Sequence, residues 1–193
     1  MDFIKDYIQD SINVKKALLE NKDLLLQIEK AAQVITTAYK NGKKVLLAGN
    51  GGSAADAQHI AGELVSKFYF DRPGLSAMAL TVDTSILTAI GNDYGYERLF
   101  ARQLQANGNA GDVFIGISTS GNSKNIIEAI QEAKRKNIIT IGLTGENICQ
   151  IDVLCDITLK IPSKETPKIQ ESHIMIGHIL CAIVEKNIFG KNK

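Results

Sequence analysis

The stretch DVFIGISTSGNS, residues 112–123, runs from an uninterrupted apolar segment, Val113-Phe114-Ile115-Gly116-Ile117, into a turn of hydroxyl residues and glycine, after which helical spacing begins. A short apolar run closed by such residues is a buried strand, and the helical pattern behind it makes a strand–turn–helix unit. The same texture recurs on either side: KKVLLAG at 43–49, SAMALTV at 76–82, IITIGLT at 138–144 and LCDITLKI at 154–161. Five such runs alternating with helices specify the α/β class, a five-stranded parallel sheet with helical crossovers.

Punctuation places the helices. One opens after Gly51-Gly52-Ser53, one after Ser120-Gly121-Asn122-Ser123, and the last runs from about Lys168 to Phe189; residues 83–106 are expected to hold two shorter ones. Residues 2–41 read as helices, because Leu24, Leu25, Ile28, Ala31, Ala32, Ile35, Ala38 and Tyr39 recur at three- and four-residue spacing before Asn41-Gly42. This N-terminal extension is too short to be a domain, so its apolar face should pack on the sheet or on another subunit. At 193 residues, without repeats or a Pro/Gly/Ser linker, the chain is expected to be one domain over 1–193.

Composition excludes several classes. With 22 basic against 21 acidic side chains there is no global field to attract nucleic acid or an anionic membrane, so a small anionic ligand would need local donors. No apolar run is long enough for a transmembrane helix. The start, MDFIKDYIQDSINVKK, lacks the apolar core of a signal peptide, and a cytoplasmic location is expected. Cys149, Cys155 and Cys181 have neither an even count nor C-x-x-C spacing, and read as reduced core thiols.

In an open parallel sheet, ligands bind beyond the carboxyl ends of the strands. Ser118, Thr119, Ser120 and Ser123 put four hydroxyls within six residues at such a position, where a helix N-terminus would meet a phosphate. A helix cap explains one hydroxyl, not four, so phosphate binding is favoured over capping alone. The turn Gly49-Asn50-Gly51-Gly52-Ser53-Ala54 also fits the dinucleotide fingerprint G-x-G-x-x-G/A. That fingerprint wants an acid at the end of the second strand; Asp71 precedes that strand and Asp83 lies too far on, so no nucleotide cofactor is expected. Asn92-Asp93, after Ile90-Gly91, reads as a third polar turn, able to bind sugar hydroxyls or simply an Asx-type turn.

His59 and Glu63 lie four apart on the helix after the glycine turn, and so project from one face. The other two histidines, His173 and His178, fall on the C-terminal helix near Gln170 and Glu171. Two helices that each bring His with Glu or Gln suit a mixed N/O site for zinc or a similar ion. On spacing alone, a half-buried histidine with a surface partner is the commoner arrangement. Gln170 and His178 also sit ~12 Å and ~80° apart on an ideal helix, so either the helix begins after Gln170 or ligands converge from different subunits.

Taken together, GNGGSAADAQHIAGEL, RPGLSAMAL, AIGND, GDVFIGISTSGNSKN and IPSKETPKIQESHIMIGH make the chain resemble, over nearly its whole length, the phosphoheptose (sedoheptulose 7-phosphate) isomerases of the sugar-isomerase (SIS) domain superfamily. The resemblance implies a flavodoxin-like sheet, a homotetramer with active sites at subunit interfaces, and conversion of sedoheptulose 7-phosphate into D-glycero-D-manno-heptose 7-phosphate for bacterial lipopolysaccharide or capsule. Carried over by position, it implies substrate binding by Asn50, Gly51, Gly52, Ser53, Glu63, Asn92, Asp93, Ser118, Thr119, Ser120, Ser123 and Gln170. It further implies Glu63 as catalytic base, His178 as acid, and zinc on His59, Glu63, Gln170 and His178. A tension follows, because a Glu63 and a His178 that both ligate zinc are not free to move protons. Two departures from the family pattern, Thr144-Gly145-Glu146-Asn147-Ile148-Cys149 in place of an Asp-Gly-Gly run and Lys168 in place of arginine, fall outside the proposed acid and base. The rival is a non-catalytic relative of the same fold that binds the replication initiator or senses a phosphosugar; its pattern lacks counterparts of Glu63 and His178.

Overall fold

Asn21 divides the N-terminal helical region of the computed structural model, which describes residues 1–190. Its backbone is extended and its side chain accepts from the Leu24 N–H at 3.0 Å, so α1 (Asp2–Glu20) ends there and α2 (Lys22–Lys40) starts with a cap. Gly42, at φ 68°, then turns the chain into the sheet.

The strands are β1 (Val45–Gly49), β2 (Ala77–Ala79), β3 (Val113–Ile117), β4 (Ile139–Thr144) and β5 (Ile157–Lys160), all parallel, in the order β2-β1-β3-β4-β5. This is the flavodoxin-like arrangement that the family resemblance implies, with helices on both faces. β2 is shorter than the run SAMALTV suggested, because after the Leu80 N–H donates to the Leu47 carbonyl at 2.8 Å the chain turns through Thr81 and Val82 into α4.

Alternation in β3 feeds two cores. Val113, Ile115 and Ile117 join Ile28, Ala31 and Ile35 of α2 together with α3 (Gly52–Val65) and α8 (Thr166–Phe189), whereas Phe114 points into the opposite layer of Leu99, Leu104, Ile126 and Ile130. That second layer comprises α4 (Thr84–Tyr94), α5 (Leu99–Asn107), α6 (Lys124–Arg135) and the short α7 (Gln150–Leu154), which the sequence reading did not anticipate. α7 is one turn held by Asp152, whose carboxylate accepts from Cys149 N–H and the Lys160 ammonium.

α8 begins at Thr166, two residues before the expected Lys168, because Pro167 fits the first turn, where an absent N–H breaks no bond. Gln170 is therefore inside the helix, which removes the possibility that the helix starts after it. α1 lies largely outside the cores; only Leu18 of that helix is buried, and Lys168 anchors it by donating to the Tyr7 carbonyl at 2.7 Å with its ammonium over the Tyr7 ring.

Phe114 is fully buried between the sheet and α5/α6. Phe114→Ala should cost roughly 3–5 kcal/mol through the cavity it leaves, read as a lower urea midpoint at unchanged slope; a midpoint within error of wild type would mean that this layer collapses to fill the space.

Candidate active site

Strand order reverses between β1 and β3, and their register puts Gly49 level with Ile117. The turns that follow these two strands therefore leave the sheet side by side, at the switch point where open parallel sheets bind ligands. An amide pair joins them: Asn50 Nδ2 donates to Asn125 Oδ1 at 2.9 Å, and Asn125 Nδ2 donates back to Asn50 Oδ1 at 2.8 Å. The Tyr96 hydroxyl also donates to Asn50 Oδ1, at 3.0 Å. Neither Asn125 nor Tyr96 was legible as a site residue, since each sits in an ordinary helical or turn context and acquires its role only across the switch point. A cavity of about 340 Å³ opens beside this pair, lined among others by Asn50, Gly51, Thr81, Thr88 and Tyr96.

In the turn after β3, Gly121 takes φ 66°, a conformation that favours glycine. Ser118 Oγ lies 2.9 Å from Ser123 Oγ and 3.4 Å from Ser120 Oγ, gathering three of the four hydroxyls. Ser123 occupies the N-cap position of α6, yet its side chain makes no cap hydrogen bond. Gly51, the N-cap of α3, has no side chain to offer. Two helices thus present uncapped N-termini at neighbouring strand ends, which is where an anion is best stabilised. Asp83, weighed as a ribose acid, instead caps α4 by accepting from Ile86 N–H. Asn92 and Asp93 are not a turn: they form the exposed last turn of α4, where Asn92 Nδ2 donates to Asp93 Oδ1 at 2.8 Å.

α3 and α8 run side by side in the same direction. Gln170 lies against Gly52, where a Cβ would come within 2.8 Å of the Gln170 amide, and two turns further on Ile60 lies against Gly177, where a Cβ would meet Ile60 Cδ1 at 2.6 Å. Glycine at 177 lets the helices close, and His59 meets His178: their Nε2 atoms stand 2.9 Å apart, and Glu63 Oε1 is 3.3 Å from His59 Nε2. Two imidazole nitrogens so close need a shared proton or a cation between their lone pairs. His59, Glu63 and His178 offer ligand atoms within 4.8 Å of one another, a mixed N/O donor set compatible with zinc, for which neighbouring ligand atoms stand ~3.3 Å apart at tetrahedral geometry. Gln170, two helical turns from His178, is at the Gly52 end. Asp56 lies between these two ends on the same face of α3; burial raises its carboxyl pKa, and the nearby His59 partly offsets the shift.

The SIS domain family model matches residues 6–145. A phosphoheptose isomerase of Aneurinibacillus thermoaerophilus is 67% identical over 100% of this chain and 96% of its own length. The chain belongs to the phosphoheptose isomerase family. Phosphoheptose isomerase 2 of Campylobacter jejuni is 64% identical over 98% of this chain and 94% of its own. Among solved structures, a phosphoheptose isomerase from Francisella tularensis superposes with TM-score 0.92 at 39% identity, covering 96% of this chain and 97% of that one. Among the described residues, no helix is long and apolar enough to cross a membrane.

His173, the third histidine, belongs to the core rather than to this site of the family member. It is fully buried, with Nε2 3.2 Å from the Thr144 carbonyl and Nδ1 without a partner. Burial pushes its pKa from the ordinary 6.5 down to about 4, the Thr144 bond opposing this only in part. The unfolded chain therefore takes up this proton first. The contribution is complete above pH ~6.5 and is lost progressively toward pH ~4, on the order of 3 kcal/mol. His173→Gln should flatten the fall of unfolding free energy between pH 6.5 and 4.5 in urea titrations; an unchanged slope would assign that fall to other groups.

Proposed function

We propose that this protein isomerises sedoheptulose 7-phosphate to D-glycero-D-manno-heptose 7-phosphate through an enediol, in the cytoplasm and as a homotetramer with interfacial active sites. The observation that carries the reading is the meeting of Glu63 and His178, from helices far apart in the chain, beside His59. A binding-only relative has no use for an acid and a base brought together.

The residues divide the work in two. The uncapped start of α6 and the hydroxyls of Ser118, Thr119, Ser120 and Ser123 hold the phosphate, with Asn50, Gly51, Gly52 and Ser53 forming the facing wall. Gln170 and the Asn92-Asp93 pair face the sugar hydroxyls, the latter from the end of α4. Glu63 moves the proton between C1 and C2, and His178 delivers a proton to the carbonyl oxygen. Zinc suits His59, Glu63 and His178, with Gln170 as a fourth ligand if brought closer; when bound there, such an ion supplies polarisation of the carbonyl and stabilisation of charge on its oxygen. A carboxylate has two oxygens, so Glu63 can present one to the histidine cluster and keep the other for the carbon-bound proton.

Assembly is supported by what α1 leaves uncovered: Phe3, Ile4 and Ile8 are each more than half exposed, and Leu26 of α2 adds to the same kind of surface. Such side chains fit burial against further copies of the chain.

Incubation with sedoheptulose 7-phosphate in D2O, followed by NMR, should yield the aldose with deuterium at C2. Glu63→Gln should keep the fold and lower turnover about 10²–10⁴-fold; undiminished turnover would remove Glu63 from the chemistry, and no turnover by the wild-type protein would favour the binding-only relative. Ser120→Ala combined with Ser123→Ala should raise KM roughly tenfold or more while leaving the far-UV circular dichroism unchanged. Unaltered affinity would return these hydroxyls to a structural role.

A further inference from the structure

Arg72 lies in the segment after α3 and carries more hydrogen bonds than a loop residue needs. Its Nη1 donates to the carbonyls of Leu64, Ser66 and Pro73 at 2.6, 3.0 and 3.2 Å, and its Nη2 donates to the Glu63 carbonyl at 2.9 Å. The guanidinium thus caps the C-terminal end of α3, the end that bears Glu63, in the position where a cation best complements the helix dipole. Its Nε donates to Glu185 Oε1 at 3.0 Å. Both side chains of this ion pair are almost wholly buried, at 2% and 1% exposure.

Glu185 stands on α8 two turns after His178, a spacing that keeps both on one side of the helix. Its carboxylate also accepts from the backbone N–H of Phe68 at 2.9 Å and of Tyr69 at 2.7 Å. The Phe68 ring in turn lies 5.7 Å from the His178 ring, centroid to centroid. Burial alone would push the Glu185 carboxyl up, but the Tyr69 and Phe68 N–H groups and the Arg72 guanidinium override it and hold the group below the usual carboxylate range. It is an ionised, fully partnered anchor.

We infer that Arg72 and Glu185 are positioning residues for proton transfer: their buried pair clamps the end of α3 to α8 and so fixes Glu63 and His178 in register. This rests on the isomerase reading above. Buried ion pairs give little net stability compared with apolar replacements, so stability alone is a poor reason for one here. What the pair does uniquely is join the backbone of Glu63, the wall formed by Phe68, and the helix of His178. The hydrogen bonds of Arg72 and Glu185 go to Glu63, Leu64, Ser66, Phe68, Tyr69, Pro73 and each other rather than to the turn after β3, so the clamp should act on turnover rather than on capture of the substrate.

The test uses the full chain with Glu185→Gln, which keeps shape and removes charge, and Arg72→Lys, which keeps charge and removes the fork. Turnover of sedoheptulose 7-phosphate is measured per folded molecule, below the melting temperature. The expected result is a kcat lowered about 10- to 100-fold with KM within about twofold of wild type, the size of effect that a misplacement near 1 Å produces. A second reading does not depend on turnover. The chain has three histidines, so their ring nitrogens can be followed by NMR, with His173 as the internal reference. His59 and His178 should shift in both variants while His173 stays fixed. Unchanged kcat with unshifted His59 and His178 rings would overturn the inference and leave the pair as a loop tether; equal shifts at all three would point to general loosening and also overturn it. Should Glu185→Gln fail to fold, Arg72→Lys carries the same readings. Absence of turnover in the wild-type protein would instead sink the isomerase reading, and the ring shifts alone would then decide whether the clamp sets the cluster.

Discussion

The close parallel approach of α3 and α8 is the constraint on which the site depends. Gly177 presents no side chain, Ile60 fills the space, and the two helices come near enough for His59 and His178 to meet. Their common direction is a consequence of the sheet: α3 follows β1 and α8 follows β5, two parallel strands, so both helices run back the same way across one layer. The residues that meet are 119 positions apart in the chain. A local motif could bring His59 and Glu63 together, but only the topology adds His178. The helices that carry the cluster are anchored in the core behind it, where Ile60, Ile176 and Leu180 are buried in the same layer as Val113, Ile115 and Ile117.

The side proposed to hold the phosphate is built on a different principle. There the polypeptide supplies geometry through its backbone, with Gly121 in a left-handed conformation, Ser118 and Ser123 gathered at 2.9 Å, and two helix starts lacking side-chain caps. An unfilled serine N-cap forgoes about 1 kcal/mol, and a glycine N-cap only a few tenths. Under the function proposed above, an anion at these adjacent strand ends takes the place of the missing caps. The Asn50–Asn125 amide pair ties these starts together, so an anion bound as proposed would meet one concavity instead of two independent turns.

Sequence made the sheet legible because each strand here is a short apolar run with glycine or hydroxyl punctuation, and the pattern of five runs leaves few topologies. It made His59 and Glu63 candidates because helical spacing is a local rule. It misplaced Asn92-Asp93, since glycine and Asn-Asp after an apolar run carry turn signals, whereas the helix continues to Tyr94 and stops at Gly95 with φ 84°. It could not show Asn125, Tyr96 or the Arg72–Glu185 pair, because each acts through a partner supplied by tertiary contact; Arg72 and Glu185 are 113 residues apart. Spacing alone also left His173 and His178 equivalent, and only the family resemblance singled out His178, although they lie five residues apart on one helix. Helical rotation separates them: His173 faces the Thr144 carbonyl and the core, and His178 faces α3.

The proposed division between a backbone-built phosphate seat and a side-chain cluster held by paired helices has a chemical rationale. Phosphate is the same in substrate and product, so its binding is uniform and asks nothing of groups that exchange protons. The carbonyl end changes charge and hydrogen count during the reaction, so it needs groups that exchange protons. Such groups are costly to bury, and here His59 keeps part of its side chain in solvent while Glu63 and His178 are only partly covered. Partial exposure weakens the positional control that packing would give. On the inference drawn above, the buried Arg72–Glu185 pair restores it from behind, through backbone carbonyls and N–H groups that do not titrate, and leaves the proposed proton-exchanging atoms open to substrate.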